Sequence, residues 1–293
     1  NDSAISNEGI EFEAQYDIIR KKNWNWSVGL NLSHNKNMLR KTYNGEDLND
    51  KVLGRPVYGI YTFKDEGIVQ KEEDIPMYPN ASGKLTPLYF QSVNNPLRVG
   101  GRKIKDQNFD GVIDDKDLYY AGSTLPAVYG GLNSHLEWKG LSLDVLFSYT
   151  IGRKVMNMYK NSAFTFTKDF GVIMNYFHAN DFWTPDNRGA KYPSLEFADK
   201  DYIGQFDGNV DSNIENISFL RLKQLVIGYQ FPKTWLKGTF IKDANIYLSG
   251  ENLFLITNYS GVDPEVINPY TGKDDGTQYP LNRKVTLGLN LKF

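Results

Sequence analysis

Apolar residues return at every second position in seven separate stretches of the chain. The last ten residues, KVTLGLNLKF, show it most plainly: Val285, Leu287, Leu289, Leu291 and Phe293 alternate with Lys284, Thr286, Gly288, Asn290 and Lys292. Near the start, Ile10, Phe12, Ala14, Tyr16 and Ile18 alternate with Glu11, Glu13, Gln15 and Asp17. WNWSVGLNLS from Trp24, VYGGLNSHLEW from Val128, LSLDVLFSY from Leu141 and ANIYLSGENL from Ala244 repeat the pattern. FLRLKQLVIGYQF changes phase at Lys223 and Gln224: Leu220 and Leu222 share one parity, Leu225, Ile227 and Tyr229 the other, the mark of a β-bulge. A period of two sends one set of side chains to each face of a strand. Each stretch therefore predicts a strand with one apolar and one wet face.

The connections sharpen this. RKKN joins the first pair of stretches, KG (Lys139, Gly140) the second and PKTWLKGTFIKD the third, whereas roughly residues 36–126, 151–216 and 255–283 separate the pairs. Short and long links alternate strictly, as in outer-membrane barrels, where short turns lie on the periplasmic side and long loops outside. Loops of more than about 12–15 residues are uncommon in compact soluble domains. Each stretch also has about the nine to eleven residues that a tilted strand needs to cross a bilayer. Trp24, Trp26, Tyr149 and Tyr229, near strand ends, fit interfacial girdles. The predicted fold is all-β: a transmembrane antiparallel β-barrel segment with long extracellular loops. Seven is an odd count, and an open edge in lipid leaves backbone groups unsatisfied at several kcal/mol each, so the stretch is expected to belong to a larger barrel.

Composition changes little. Aromatics make up 14% of the 293 residues, with 26 Gly and no Cys, favouring strands and turns and excluding disulfides and thiolate metal sites. A formal net charge of -2 offers no basic field for nucleic acid. Mean hydropathy is negative, but barrel strands escape hydropathy windows because every second residue faces the lumen.

Several ordered motifs resemble one family. ISFLRLKQLVIGYQFPKTW, ANIYLSGENLFLITNYSGVDPEV and YPLNRKVTLGLNLKF resemble the C-terminal end of SusC-like (SusC/RagA) TonB-dependent transporters of the outer membrane. NEGIEFEAQYDII, GRPVYGIYTFKDEGIV, KIKDQNFDGVIDDKDLYYAGSTLPAVYGGLN and DFWTPDNRGAKYPS match in the same order. The resemblance implies residues 1–293 as about seven C-terminal strands of a barrel of roughly 22, without plug domain or N-terminal strands. It implies a Gram-negative outer-membrane location among its lipids. The implied partners are the N-terminal plug and barrel portion, a SusD-like surface lipoprotein, and TonB acting through the missing plug. The implied cargo is a glycan or peptide nutrient. The closing Phe293 resembles the signal read by barrel-assembly machinery; the plainer account is that it completes an apolar face.

One stretch carries chemistry of its own. In DQNFDGVIDDKD, Asp106, Asn108 and Asp110 stand two apart, Gly111 follows, Val112 offers a carbonyl at position seven, and Asp114 and Asp117 close the loop. This is calcium-loop spacing and predicts a structural Ca²⁺, with Mg²⁺ as the alternative. It departs from an EF-hand in placing the shorter Asp117 where Glu belongs and in lacking flanking helices. An acidic turn without metal has the same composition.

No enzyme signature is present: His34, His135 and His178 are dispersed, and neither a nucleophile elbow nor a phosphate loop occurs. The long loops are aromatic. Phe166, Tyr176, Phe182 and Trp183 are candidates for substrate or partner contact, against packing within the loop. The rival reading is a soluble, calcium-stapled extracellular β-domain that binds glycans.

Overall fold

A computed structural model describes residues 3–47, 51–158, 178–198 and 208–293. All seven alternating stretches are strands of one antiparallel meander. They are Ala4–Lys21 (β1), Trp24–Lys41 (β2), Val128–Trp138 (β3), Leu141–Asn157 (β4), Ile214–Gln230 (β5), Asp243–Glu251 (β6) and Lys284–Lys292 (β7), each paired with its sequence neighbours. β1 and β7 form the two edges, so the sheet is an open wall.

The register carries the alternation across the strands. Leu30 pairs with Leu132, Leu132 with Phe147, Leu143 with Ile227, Ile227 with Leu248 and Leu248 with Leu287. One face is thus apolar from edge to edge, and Phe12, Leu30, Leu132, Leu141, Ile227, Leu248 and Leu287 on it are all exposed. The opposite face carries Asn31, Asn133, His135, Asp144 and Gln224 in matching rows.

Two short links are tight turns. Trp138 pairs with Leu141 across Lys139 (φ 48°) and Gly140 (φ 92°), the two left-handed residues that match the twist of paired strands. Lys22 and Asn23 link β1 to β2. The expected bulge is present: Leu146 pairs with Gln224 and Phe147 with Leu222, leaving Lys223 unpaired. A second bulge corrects the sequence reading of the first strand. Asp17 pairs with Ser27 and Ile19 with Trp26, so Ile18 is skipped and the apolar parity passes to Ile19.

Four strands outrun the expected nine to eleven residues. β1 and β2 have 18 each, β4 and β5 17 each, with the excess of β2, β4 and β5 at the long-loop end. There they carry two loop layers with cores of their own. Val69, Ile75, Leu88, Phe90, Leu97, Ile104 and Ile113 from the first long connection enclose Val210 from the second. Val155 of β4 and Ile217 of β5 pack with Tyr259 and Ile267 of the third. By contrast, no residue of β1 is buried.

Trp183 closes over the first layer. Its ring lies against Gly100, whose φ of +84° is left-handed and where a methyl group would fall 2.5 Å from Trp183 Cε3. Gly100→Ala is expected to cost about 2–4 kcal/mol by combining backbone strain and overpacking. Limited trypsin digestion should then cut residues 64–105 faster than in the wild type; an unchanged cleavage rate would refute this packing role.

Candidate functional site

The strand directions put the three long connections at one end of the wall and the three short turns at the other. The acidic loop belongs to the long-loop end. GRKIK before it is extended, as expected, with Arg102–Ile104 a short strand beside Asp65–Ile68. Gly111 (φ +85°) makes the sharp turn beneath Tyr78, where a methyl group would meet the Tyr78 Cβ at 3.0 Å.

The structure brings Asp106, Asn108, Asp110, Val112, Asp114 and Asp117 into one turn, and main-chain donors occupy most of their oxygens. Asp106 accepts from the N–H groups of Phe109 (2.6 Å) and Gly111 (2.9 Å), and Asp117 from those of Gln107 (2.7 Å) and Asp114 (2.9 Å). Asn108 accepts from Asp110 N, Asp110 from Val112 N and Asp114 from Lys116 N. Asp117 is 0% exposed. Burial pushes its carboxyl up, against the main-chain donors that pull it down. Burial and the neighbouring Asp106 carboxylate push the Tyr78 phenol up to about 12. Lys116 Nζ reaches over Asp114 at 3.6 Å and Asp110 at 3.9 Å. Among the described residues, no three His, Cys, Asp or Glu side chains converge as a ligand set.

Of the four candidate contact aromatics, Phe166 and Tyr176 lie outside the described residues. Phe182 and Trp183 are 6% and 7% exposed. Phe182 packs on Tyr192 with ring centroids 5.7 Å apart, and Trp183 Nε1 donates to Gln70 Oε1 at 2.9 Å. Their rings are spent on the loop interior. Phe293 lies at the short-turn end, 62% exposed and stacked on Phe240 at 5.6 Å.

Charged residues that sequence reading passed over fasten the loop layers to the wall. Arg221 of β5 is buried, with Nη2 2.5 Å from Asp263 Oδ1 and Nε on Glu265, while Lys223 holds the other Glu265 oxygen at 2.6 Å. Arg153 of β4 donates to the carbonyls of Thr124, Pro264 and Ile267. The available signal was phase: Arg221 interrupts FLRLK on the wet parity. Its partners, some 40 residues later in VDPEV, show no local pattern. On the wet face of the wall, His135 Nδ1 meets Asp144 Oδ1 at 2.5 Å beside a polar cleft of about 290 Å³ that Gln15, Asn133 and Gln224 also line.

A one-sided apolar wall whose loops gather at a single end defines a segment of an open β-barrel. No family model matches the chain. It is 30% identical over 313 residues to the TonB-dependent receptor P26 of Formosa agariphila and 26% identical over 294 residues to the TonB-dependent receptor SusC of Bacteroides thetaiotaomicron. Both alignments take in 100% of this chain, and respectively 30% and 27% of those proteins. A solved structure of the RagAB peptide importer in its open-open state superposes with a TM-score of 0.68 at 25% identity, over 99% of this chain and 29% of that one. The RagAB peptide transporter gives 0.69 at 23% identity, covering 100% of this chain and 30% of that one. Over its whole length the chain is thus similar to one part of the TonB-dependent receptors, SusC among them, and it spans less than a third of the curated relatives it matches. Those relatives are receptors and transporters by name, not enzymes.

One ionic clasp joins two of the long connections. Asp211 accepts from Lys64 Nζ (2.6 Å), Tyr119 Oη (2.7 Å) and Asp65 N (2.9 Å). Burial raises its carboxyl, but these three donors outweigh that and hold it below the ordinary 3.8. A depressed pKa gives stability that is complete above pH 3.8 and is lost as the pH falls through the lower folded value. Asp211→Asn is expected to weaken the clasp by about 2 kcal/mol. Pepsin cleavage at residues 208–213 should rise on acidification below pH 3.8 in the wild type and already be raised in the variant; equal rates in both proteins would show that the clasp holds nothing.

Proposed function

We propose that this chain supplies wall and extracellular loops to a TonB-dependent importer in the outer membrane of a Gram-negative cell. The observation that carries the reading is the apolar face, continuous over seven strands and exposed over most of its extent, on a meander whose long connections all lie at one end. Hydrocarbon covers such a face, and the wet face then lines the lumen. The N-terminal portion closes the barrel around a plug. A SusD-like lipoprotein covers the loop end, a glycan or peptide is the cargo, and TonB acts through the plug. The buried Arg221–Asp263–Glu265 network supports this assignment by fixing one long loop to the rim of the wall.

Paired substitutions in the full-length protein test it. Leu287 lies on the apolar face and Thr286 on the other. Leu287→Arg puts a cation in hydrocarbon, which costs about 2–4 kcal/mol at mid-depth, whereas Thr286→Arg puts it in the lumen. Leu287→Arg alone should reduce folded, heat-modifiable protein in the membrane fraction. Equal tolerance of both, or a protein recovered from the soluble fraction without detergent, would defeat the membrane reading. Phe293 is proposed to serve assembly in the same system, so Phe293→Ala should lower the yield of folded barrel without altering the melting temperature of what does fold.

A Ca²⁺ at the acidic loop, or Mg²⁺ in its place, is proposed on ligand spacing alone, since Asp106 and Asp117 must give up main-chain donors to reach it. Titration calorimetry of chelator-treated protein should show one site at millimolar Ca²⁺ or below that Asp110→Ala removes. Absence of any heat would leave the loop as a metal-free acidic turn.

A further inference from the structure

The short-turn end of the wall carries a charged rim that the transport reading does not use. Lys139 N donates to Asn23 O at 3.1 Å, and Gln230 N to Gly140 O at 2.8 Å, so the three short turns sit side by side. Lys22, Lys139 and Lys233, one from each turn, line a single cleft of about 630 Å³. Two carboxylates share that cleft, and both are engaged: Glu137 faces His135 Nε2 at 3.5 Å, and Asp243 accepts from Gln230 Nε2. Among the described residues, none of the three lysines has a carboxylate within ion-pair distance. Directly beside this rim, on the apolar face, Trp24, Leu136, Trp138, Leu141 and Leu143 enclose a hollow of about 320 Å³. Lys139 Nζ stands over the Trp138 ring at 5.4 Å and so joins the rim to the hollow.

The backbone adds a second observation. Lys139 is left-handed at φ 48°, in a turn where Asn, Asp or Gly is preferred and where another side chain costs about 1–2 kcal/mol. A lysine that costs folding energy and lacks a protein anion points to an anion from outside.

We propose that this end of the wall binds one anionic phospholipid, its headgroup held by Lys22 and Lys139 and an acyl chain laid in the hollow beneath Trp138. The inference rests on the outer-membrane reading, which places hydrocarbon against that hollow and lipid headgroups at the level of the turns. The ammonium groups supply the charge that a zwitterionic headgroup does not need. The two indole rings supply the amphipathic body suited to the border of headgroup and chain.

The test is native mass spectrometry of the full-length protein, extracted from membranes in detergent and offered equal amounts of phosphatidylglycerol and phosphatidylcholine. The wild type should retain one phosphatidylglycerol in preference to phosphatidylcholine. Lys139→Asn, which eases the turn rather than straining it, should lower that retention about fivefold, and adding Lys22→Gln should lower it about as much again. Both variants should melt no lower than the wild type. Equal retention of the two lipids, or unchanged retention in Lys139→Asn, overturns the lipid site while leaving the membrane reading intact. Recovery of the protein in the soluble fraction overturns both.

Discussion

Strand register is the constraint on which the rest of this structure depends. With a side-chain period of two, a slip of one residue along any pair would turn a whole apolar row into the wet face. Two devices hold it here. The Lys139–Gly140 turn leaves no slack between β3 and β4, because both residues are committed to left-handed backbone. The bulges at Ile18 and Lys223 each absorb one residue, so that sequence out of phase with its neighbour is brought back into row. With the register fixed, Leu30, Leu132, Phe147 and Leu222 align across three strand boundaries, and Leu143, Ile227, Leu248 and Leu287 across three, without any long-range instruction.

The loop end is held by a different kind of force. Its cores are small and local, and each borrows from another part of the chain: Val210 of the second connection enters the core of the first, and Ile267 rests on Val155 and Ile217 of the wall. Ion pairs make the junctions between these pieces. The Arg221–Asp263 pair is buried, and removing one partner from such a group leaves the other desolvated and unpaired, whereas the Asp211 clasp is more open, with an exposed Lys64. They act as registry devices between loops that have little apolar area to share.

The difference between these two forces accounts for what could be read from sequence. Period-two alternation is a local signal, so all seven strands and the phase change at Lys223 were legible before any coordinate. The bulge at Ile18 was not, since Ile18 and Ile19 are both apolar and either parity satisfies the pattern. The distal halves of β4 and β5 were hidden for a related reason: beyond Thr150, the side chains of Arg153, Val155, Met156, Asn157 and Ile217 are buried, and alternation fades where burial no longer keeps to one parity. The acidic loop was legible as a turn and as a spacing of oxygens, but main-chain donors decide where those oxygens point, and spacing does not encode them. Burial of Trp183 depended on Gly100 and Gln70, more than 80 residues earlier in the chain. No local pattern announces such a contact.

These observations assign the stability of the two parts of the chain to different sources. The loop layers bury side chains against one another and carry the means of their own cohesion. The wall does not: β1 buries nothing, and the apolar row of β7 is exposed along its length. Hydrogen bonds along the meander fix its shape, but their net worth in water is modest, and the exposed rows oppose folding in that solvent. A wall built this way becomes stable only when something else removes its apolar face from water and pairs its two edges. On the proposed reading, hydrocarbon does the first and the remaining strands of the barrel do the second. The wall's fold is then a property of its surroundings as much as of its own contacts, whereas the loops it carries are shaped largely by theirs.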